Sequence, residues 1–248
     1  MSIDFSTKTI LIVDDQLLVR SLLSQLLKSL GFRPDAISQA SDGNTALRVL
    51  DLRPVDLILC DFQMEPINGM DLLKEVRCAR TQNSPNVPFV FLSGHPERAT
   101  ILLAAQFHVD GFIVKPPTPS DIEKNIHAAL VSPRPAIDPF RYLPVATGSE
   151  YDQSTFYCAS PPPQTPDLKL LLDRFRVEVA LDDVVPGSLL AEDLLSKDGQ
   201  VLLIRGIRLS QLQLNILKRC QQQYGVHSLP IAHLPQDQMI MYRETYGL

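Results

Sequence analysis

Four short apolar runs in the first half of the chain each end in a residue that carries charge or a hydroxyl, and this pattern limits the possible folds more than any other feature. Ile10–Val13 runs into Asp14 and Asp15, Leu57–Cys60 into Asp61, Phe89–Leu92 into Ser93, and Phe112–Val114 into Lys115 and Pro116. In an open α/β sheet, ligands gather beyond the carboxyl ends of the parallel strands, so polar residues placed directly after strand-like runs are where chemistry is expected. Three acids, a hydroxyl and an ammonium are delivered in this way.

Between these runs the apolar residues change period. Leu17, Leu18, Leu22, Leu23, Leu26, Leu27 and Leu30 recur at three- and four-residue steps, with Gly31 as a stop, which predicts an amphipathic helix. A short strand near Ala36–Ala40 precedes a helix from about Gly43 to Leu50. Further helices are expected over Met70–Arg80, Glu97–Phe107 and from Ser120 or Asp121 to Leu130. Five strand–helix repeats imply βαβ units and a doubly wound five-stranded parallel sheet.

The chain has 248 residues, enough for one large or two modest domains, and two are expected. Residues 1–131 form the α/β domain. Residues 132–167 hold eight of the twenty prolines mixed with Ser, Thr and Gln, and read as a partly extended linker. Residues 168–248 read as a small, mainly β domain with one helix. There, Phe175, Val177 and Val179 alternate with Arg176 and Glu178 as a strand would, and Lys197-Asp198-Gly199-Gln200 predicts a hairpin turn between two leucine-rich runs. Ser210 is placed to cap a helix from Gln211 to about Gln222, with Leu212, Ile216 and Leu217 inward.

Charge and cysteine usage narrow the function classes. Residues 168–248 carry nine Lys and Arg against nine Asp and Glu, and no segment is basic, which argues against a nucleic-acid partner. No apolar stretch reaches the roughly 18 residues of a membrane span, and residues 1–9 lack the pattern of a secretory signal, so a cytoplasmic location is expected. Cys60, Cys78, Cys158 and Cys220 lie far apart without a CxxC, as free thiols in a reducing compartment do.

An acid pair after a strand, taken alone, is an ordinary helix cap, Ser-Gly an ordinary turn, and Lys-Pro an ordinary loop. Their joint spacing is what carries information: 46 residues from Asp15 to Asp61, 32 from Asp61 to Ser93 and 22 from Ser93 to Lys115. In this set the first half of the chain resembles the receiver domain of two-component response regulators. The resemblance implies a flavodoxin-like sheet of order 2-1-3-4-5. It implies that Asp61 accepts a phosphoryl group from a sensor histidine kinase or phosphotransfer protein. Asp14, Asp15, Asp61 and the backbone carbonyl of Gln63 would hold Mg²⁺, an ion that takes oxygen ligands. Lys115, in a cis peptide bond to Pro116, and Ser93 would meet phosphoryl oxygens, and Phe112 would be the aromatic switch. One departure is that Glu65 separates Met64 from Pro66, while Gly69 keeps its usual distance.

Gln63 and His95 occupy positions that in this family tune the lifetime of the acyl phosphate, and a solvated turn is the ordinary role for His95. The other histidines form no metal-ligand pattern. The fourth helix, with Ile101, Leu102, Leu103, Ala104, Ala105 and Phe107, is apolar nearly all round. Burial inside the domain accounts for that, and so does a homodimer through the face of helix four, strand five and helix five. The stretch 177–217 resembles a β module that trails receivers carrying HD-type phosphodiesterase domains, but no His-Asp doublet occurs in the chain. The expected function is a phosphorylation-controlled interaction protein rather than an enzyme acting on free metabolites. A DNA-binding regulator with an atypical C-terminal domain is the alternative.

Overall fold

The computed structural model describes residues 3–94, 97–156 and 161–246. The chain divides into two compact units, Met1–Thr155 and Phe156–Leu248. The first contains β1 (Ile10–Val13), α1 (Leu17–Ser29), β2 (Ile37–Ala40), α2 (Gly43–Leu52), β3 (Leu57–Asp61), α3 (Gly69–Arg77), β4 (Phe89–Ser93), α4 (Arg98–Gln106), β5 (Gly111–Val114), α5 (Pro119–Val131), α6 (Pro139–Tyr142) and α7 (Glu150–Thr155). All five strands are parallel and their order is β2-β1-β3-β4-β5. This is the doubly wound sheet the sequence predicts.

Alternation along the strands sends side chains to both faces, so a two-sided sheet needs continuous apolar runs. Ile10, Ile12, Leu57, Leu59, Val90, Leu92 and Ile113 pack with Leu23 and Leu27 of α1 and Ile122 and Ile126 of α5. The alternate set Leu11, Ile58, Cys60, Phe89 and Phe91 is equally buried. Helix starts are fixed by side-chain caps: Asp42 accepts from the Thr45 N–H at 2.8 Å, Asn68 from Asp71 at 2.9 Å, and Thr118 from Asp121 at 3.2 Å, with Pro119 in the first turn of α5. Gly31 ends α1 at φ +105°, a conformation that suits glycine.

Residues 137–155 depart from the expected linker. They fold back onto α3, whose nine residues are all buried, Lys74, Glu75 and Arg77 included. Lys74 Nζ reaches Asp152 Oδ1 at 2.6 Å and the Val145 carbonyl at 2.8 Å. Asp71 Oδ1 accepts from the hydroxyls of Thr147 at 2.5 Å and Ser149 at 2.8 Å, and Tyr151 donates to Glu75. Tyr142 stacks on Phe107 with ring centroids 5.4 Å apart and is hydrogen-bonded to Nδ1 of His108. The physical reason is that Pro139 sits in the first turn of α6 under an Asp138 cap, where proline favours a helix. The segment's polar residues then meet polar partners on α3. Within the Pro161–Pro163 run Pro162 is buried: a Cβ at Gly206 would lie 2.6 Å from it, and Gln164 Nε2 bonds the Pro162 and Arg205 carbonyls.

The second unit contains α8 (Pro166–Arg174), β6 (Arg176–Ala180), β7 (Leu189–Leu190), β8 (Leu194–Leu195), β9 (Val201–Leu203), α9 (Gln211–Arg219), α10 (Gln221–Tyr224), β10 (Ser228–Ala232) and α11 (Gln236–Tyr246). An antiparallel sheet of order β6-β10-β7 and the hairpin β8-β9 form its β part. Gly199, at φ +78°, makes the predicted hairpin turn, and Ser210 caps α9 in a reciprocal capping box with Gln213. Leu212, Ile216 and Leu217 are buried as expected. Helices α8 and α11, which the sequence reading did not assign, supply Leu168, Leu172 and Tyr242 to a core with Leu189, Ala191 and Ala232.

Candidate functional site

Register brings the predicted residues together. Val13 pairs with Cys60, so Asp14 and Asp61 leave neighbouring strands at the same level. Cys60 pairs with Phe91, Phe91 with Phe112, and Ser93 with Val114, which places Ser93 and Lys115 at the same edge. The Lys115 N–H donates to the Ser93 carbonyl at 2.9 Å, and the Lys115–Pro116 bond is cis, as expected. A second cis bond, Glu65–Pro66, lies in the loop after β3 and was not foreseen.

Lys115 Nζ bridges Asp14 Oδ2 at 2.7 Å and Asp61 Oδ2 at 2.8 Å. Carboxylate oxygens of Asp14, Asp15 and Asp61 all lie within 4.8 Å of one another; Asp14 and Asp61 are buried and Asp15 is exposed. Burial raises the Asp61 carboxyl above its usual value, and Asp14 adds to this, while Lys115 and the Gln63 N–H pull it down. Burial disfavours the Lys115 ammonium, yet its bonds to Asp14 and Asp61 outweigh that and leave its pKa raised. The cluster is therefore held by one cation lodged between two of three acids. The neighbouring Cys60 thiol is pushed well up by burial first, then by Asp61 and Asp14, so it stays protonated.

Backbone groups complete the frame. The Gln16 N–H donates to Asp14 Oδ1 at 2.9 Å and the Gln63 N–H to Asp61 Oδ1 at 3.3 Å. Arg20, which the sequence reading passed over, donates to the carbonyls of Asp14 at 2.7 Å and Asp15 at 3.2 Å. Its place in the first turn of α1, just after the acid pair, was the available signal. A Cβ at Gly69 would lie 2.5 Å from the Asp61 carbonyl oxygen, so only glycine lets α3 start this close to β3. Ser93 is buried at the end of β4. Phe112 is half-buried, its ring centroid 5.5 Å from that of Phe91. His95 lies outside the described residues.

A cavity of about 840 Å³ opens beside these loops, lined by Asp15, Gln63 and Glu65 on one side and by Thr147 and Ser149 on another. Three oxygen donors that close together suit a hard divalent cation, and the exposure of Asp15 leaves room for the waters that Mg²⁺ retains.

The fold is thus a flavodoxin-like α/β domain with an acid cluster and a lysine beyond its strand ends, where such sheets place their ligand sites. A model of the response regulator receiver domain matches residues 10–127. The chemotaxis protein CheY-3 of Vibrio cholerae serotype O1 is 35% identical over 117 residues, 47% of this chain and 87% of that protein. The chemotaxis protein CheY of Pseudomonas aeruginosa is 36% identical over 117 residues, 47% of this chain and 91% of that protein. Among solved structures, Vibrio cholerae chemotaxis protein CheY4 is similar at 24% identity and TM-score 0.46, over 50% of this chain and 98% of that one. The signal receiver domain of an HD domain-containing protein from Pseudomonas fluorescens Pf-5 is similar at 25% identity and TM-score 0.44, over 50% of this chain and 94% of that one. The chain belongs to the response regulator receiver family. Receivers of this family act in phosphorylation-based signalling with histidine kinases or phosphotransfer proteins. No helix among the described residues is long and apolar enough to cross a membrane.

Proposed function

We propose that the first unit is the receiver of a two-component response regulator and that Asp61 is its phosphoacceptor. The observation that carries this reading is the Lys115 ammonium held 2.8 Å from Asp61 and 2.7 Å from Asp14 at adjoining strand ends. An Asp61 carboxylate oxygen attacks the phosphorus of a phosphohistidine on the partner. The new O–P bond replaces the N–P bond, and the electron pair returns to the imidazole nitrogen. Such transfer asks the protein for position and charge stabilisation. Lys115 supplies a positive charge for a phosphoryl oxygen, and the Gln63 N–H fixes the acceptor's orientation. Ser93 stands ready to donate to another phosphoryl oxygen, with Phe112 following its movement. Asp14, Asp15, Asp61 and the Gln63 carbonyl would hold Mg²⁺, which when bound balances the acid cluster's charge.

The second unit is read as the output module, engaging a protein partner. Its nine basic and nine acidic residues over 168–248 favour this over the DNA-binding alternative. Ile101 and Leu102 of α4 and Val114 of β5 are exposed, which supports self-association through the α4-β5-α5 face. Cys60, Cys78 and Cys220 are buried, which suits thiols of a reducing, cytoplasmic setting, and Cys158 lies outside the described residues.

Incubation of the protein with acetyl phosphate and Mg²⁺, followed by intact mass, tests the acceptor. Wild type gains one phosphoryl group and Lys115→Ala gains much less. A phosphoryl mass persisting in Asp61→Asn refutes the assignment. Light scattering with and without beryllofluoride tests the dimer, and an unchanged monomer rules it out.

A further inference from the structure

The Thr147–Gly148–Ser149 turn is anchored on one side and faces the acceptor loop on the other. Its anchor is a part-buried polar network: both hydroxyls donate to Asp71 Oδ1, the Thr147 N–H donates to Asp152 Oδ2 at 2.9 Å, and the Asp152 N–H donates to Ser149 Oγ at 2.9 Å. Asp152 is in turn fixed by Lys74. On its open side the same turn lines the cavity with Asp15, Gln63 and Glu65. Gln63 is tied to the acceptor through its N–H. One cavity is thus walled on one side by the loop that follows Asp61 and on another by the segment that follows the family's matched residues, which end at 127.

The anchor is poised rather than locked. Asp71 Oδ2 is buried and has no hydrogen-bond partner, a cost carried by the docked arrangement. The acids Asp71, Glu75 and Asp152 outnumber the cations Lys74 and Arg80 in this network. An added phosphoryl group on Asp61 brings up to two negative charges and new volume beside the Phe62–Glu65 loop, which lines this cavity together with Asp15.

We propose that residues 137–155 regulate the phosphoacceptor site from within the receiver: the Thr147–Ser149 turn lines the cavity that the loop after Asp61 also lines, and loading Asp61 loosens it. This rests on Asp61 being the acceptor. Coupling of this kind is reciprocal, so loosening the turn must strengthen binding of a phosphoryl mimic by the same factor that binding loosens the turn.

The experiment uses the full chain with Mg²⁺ and beryllofluoride. Hydrogen exchange is read at the amides of Thr147, Asp152 and Gln153, and calorimetry gives the binding midpoint. Saturation is expected to speed exchange at those amides in wild type and leave Asp61→Asn unchanged. The Thr147→Ala, Ser149→Ala double variant is expected to bind beryllofluoride about fivefold more tightly. Ser149→Ala alone serves if the double variant fails to fold, with a smaller shift in the same direction. The inference is overturned if exchange changes over residues 89–131 while the turn amides do not move, or if a folded variant binds with an unaltered midpoint. Absence of any binding by wild type defeats the acceptor reading itself, and the inference with it.

Discussion

Asp152→Ala is the sharpest test of where the first unit ends. The side chains of Lys74 and Asp152 are 1% and 5% exposed and meet at 2.6 Å, so the pair is held away from water. Removing the carboxylate takes the counter-charge from a buried ammonium and the acceptor from the Thr147 N–H. Breaking one side of a buried ion pair costs about 3–5 kcal/mol, because the remaining charge has lost its compensation without regaining hydration. For a unit of this length that corresponds to a drop in Tm of about 6–20 °C. Lys74→Met combined with Asp152→Leu replaces the pair with apolar groups and is expected to recover most of the loss.

Tyr142 and Tyr151 are the tyrosines of the first unit and the chain contains no tryptophan, so the tyrosine fluorescence change in that unit's urea transition reports on this segment. The first transition is analysed, with backbone circular dichroism as a second probe, since two units need not unfold together. If Asp152→Ala loses less than about 1 kcal/mol, the pair behaves as an exposed one does, and the docking of residues 137–155 on α3 is refuted.

Further expectations concern the site and its surroundings. Gly69→Ala puts a methyl 2.5 Å from the Asp61 carbonyl oxygen and 2.8 Å from the Phe91 ring. A backbone oxygen cannot rotate aside, so a loss of about 1–3 kcal/mol in urea unfolding is expected, together with reduced phosphoryl incorporation; wild-type values in both would contradict the close packing. Arg77→Met removes the donor to the carbonyls of Pro85, Val87, Phe107 and His108. It should destabilise the first unit by about 3 kcal/mol or more in the same assay, given the cost of each orphaned acceptor. Burial raises the Glu75 carboxyl above its usual 4.5, against the pull of Arg80 and Tyr151. The folded state therefore holds this proton more tightly than the unfolded state, so Glu75's effect on stability grows less favourable as pH rises from 4.5 through the folded value. Glu75→Gln should flatten that part of the stability profile, and an unchanged slope would show that Glu75 titrates normally.

The sheet and the gathering of the acids with Lys115 were legible because both depend on local pattern. A strand buried on both faces must be an apolar run, and a side chain placed just after it must emerge at the sheet's edge; Asp14, Asp61, Ser93 and Lys115 obey that rule without reference to distant residues. What composition misjudged was residues 137–155. Their Pro, Ser, Thr and Gln content reads as a partly extended linker, and the helix over Met70–Arg80 carries no sign of what covers it. Each segment satisfies the other's polar groups, and a match of that kind is visible only once both are in place. Helices α8 and α11 were also missed: Leu168, Leu171 and Leu172 do follow a helical period but sit at the assigned linker boundary, while α11 buries only Tyr242, which marks no apolar face until β7 and β10 supply its counterpart.

The covering of α3 also bears on where partners can meet the receiver. In a doubly wound domain each helix normally keeps one polar face in water, and any of those faces can serve for docking. Here the outer face of α3 is taken up by residues 137–155, so its charges are committed to Asp152, Tyr151 and Arg80. Large exposed apolar side chains of this unit concentrate elsewhere: Leu17, Leu18 and Leu22 on α1, Ile101 and Leu102 on α4, and Val114 on β5. On α1 these exposed leucines stand on the helix that directly follows the acid pair Asp14-Asp15. The α4-β5-α5 face stays available for a second contact. Covering α3 leaves the apolar exposure of this unit on other elements, and the Thr147–Ser149 turn is the part of that cover that shares a cavity with Gln63 and Glu65 of the loop after β3.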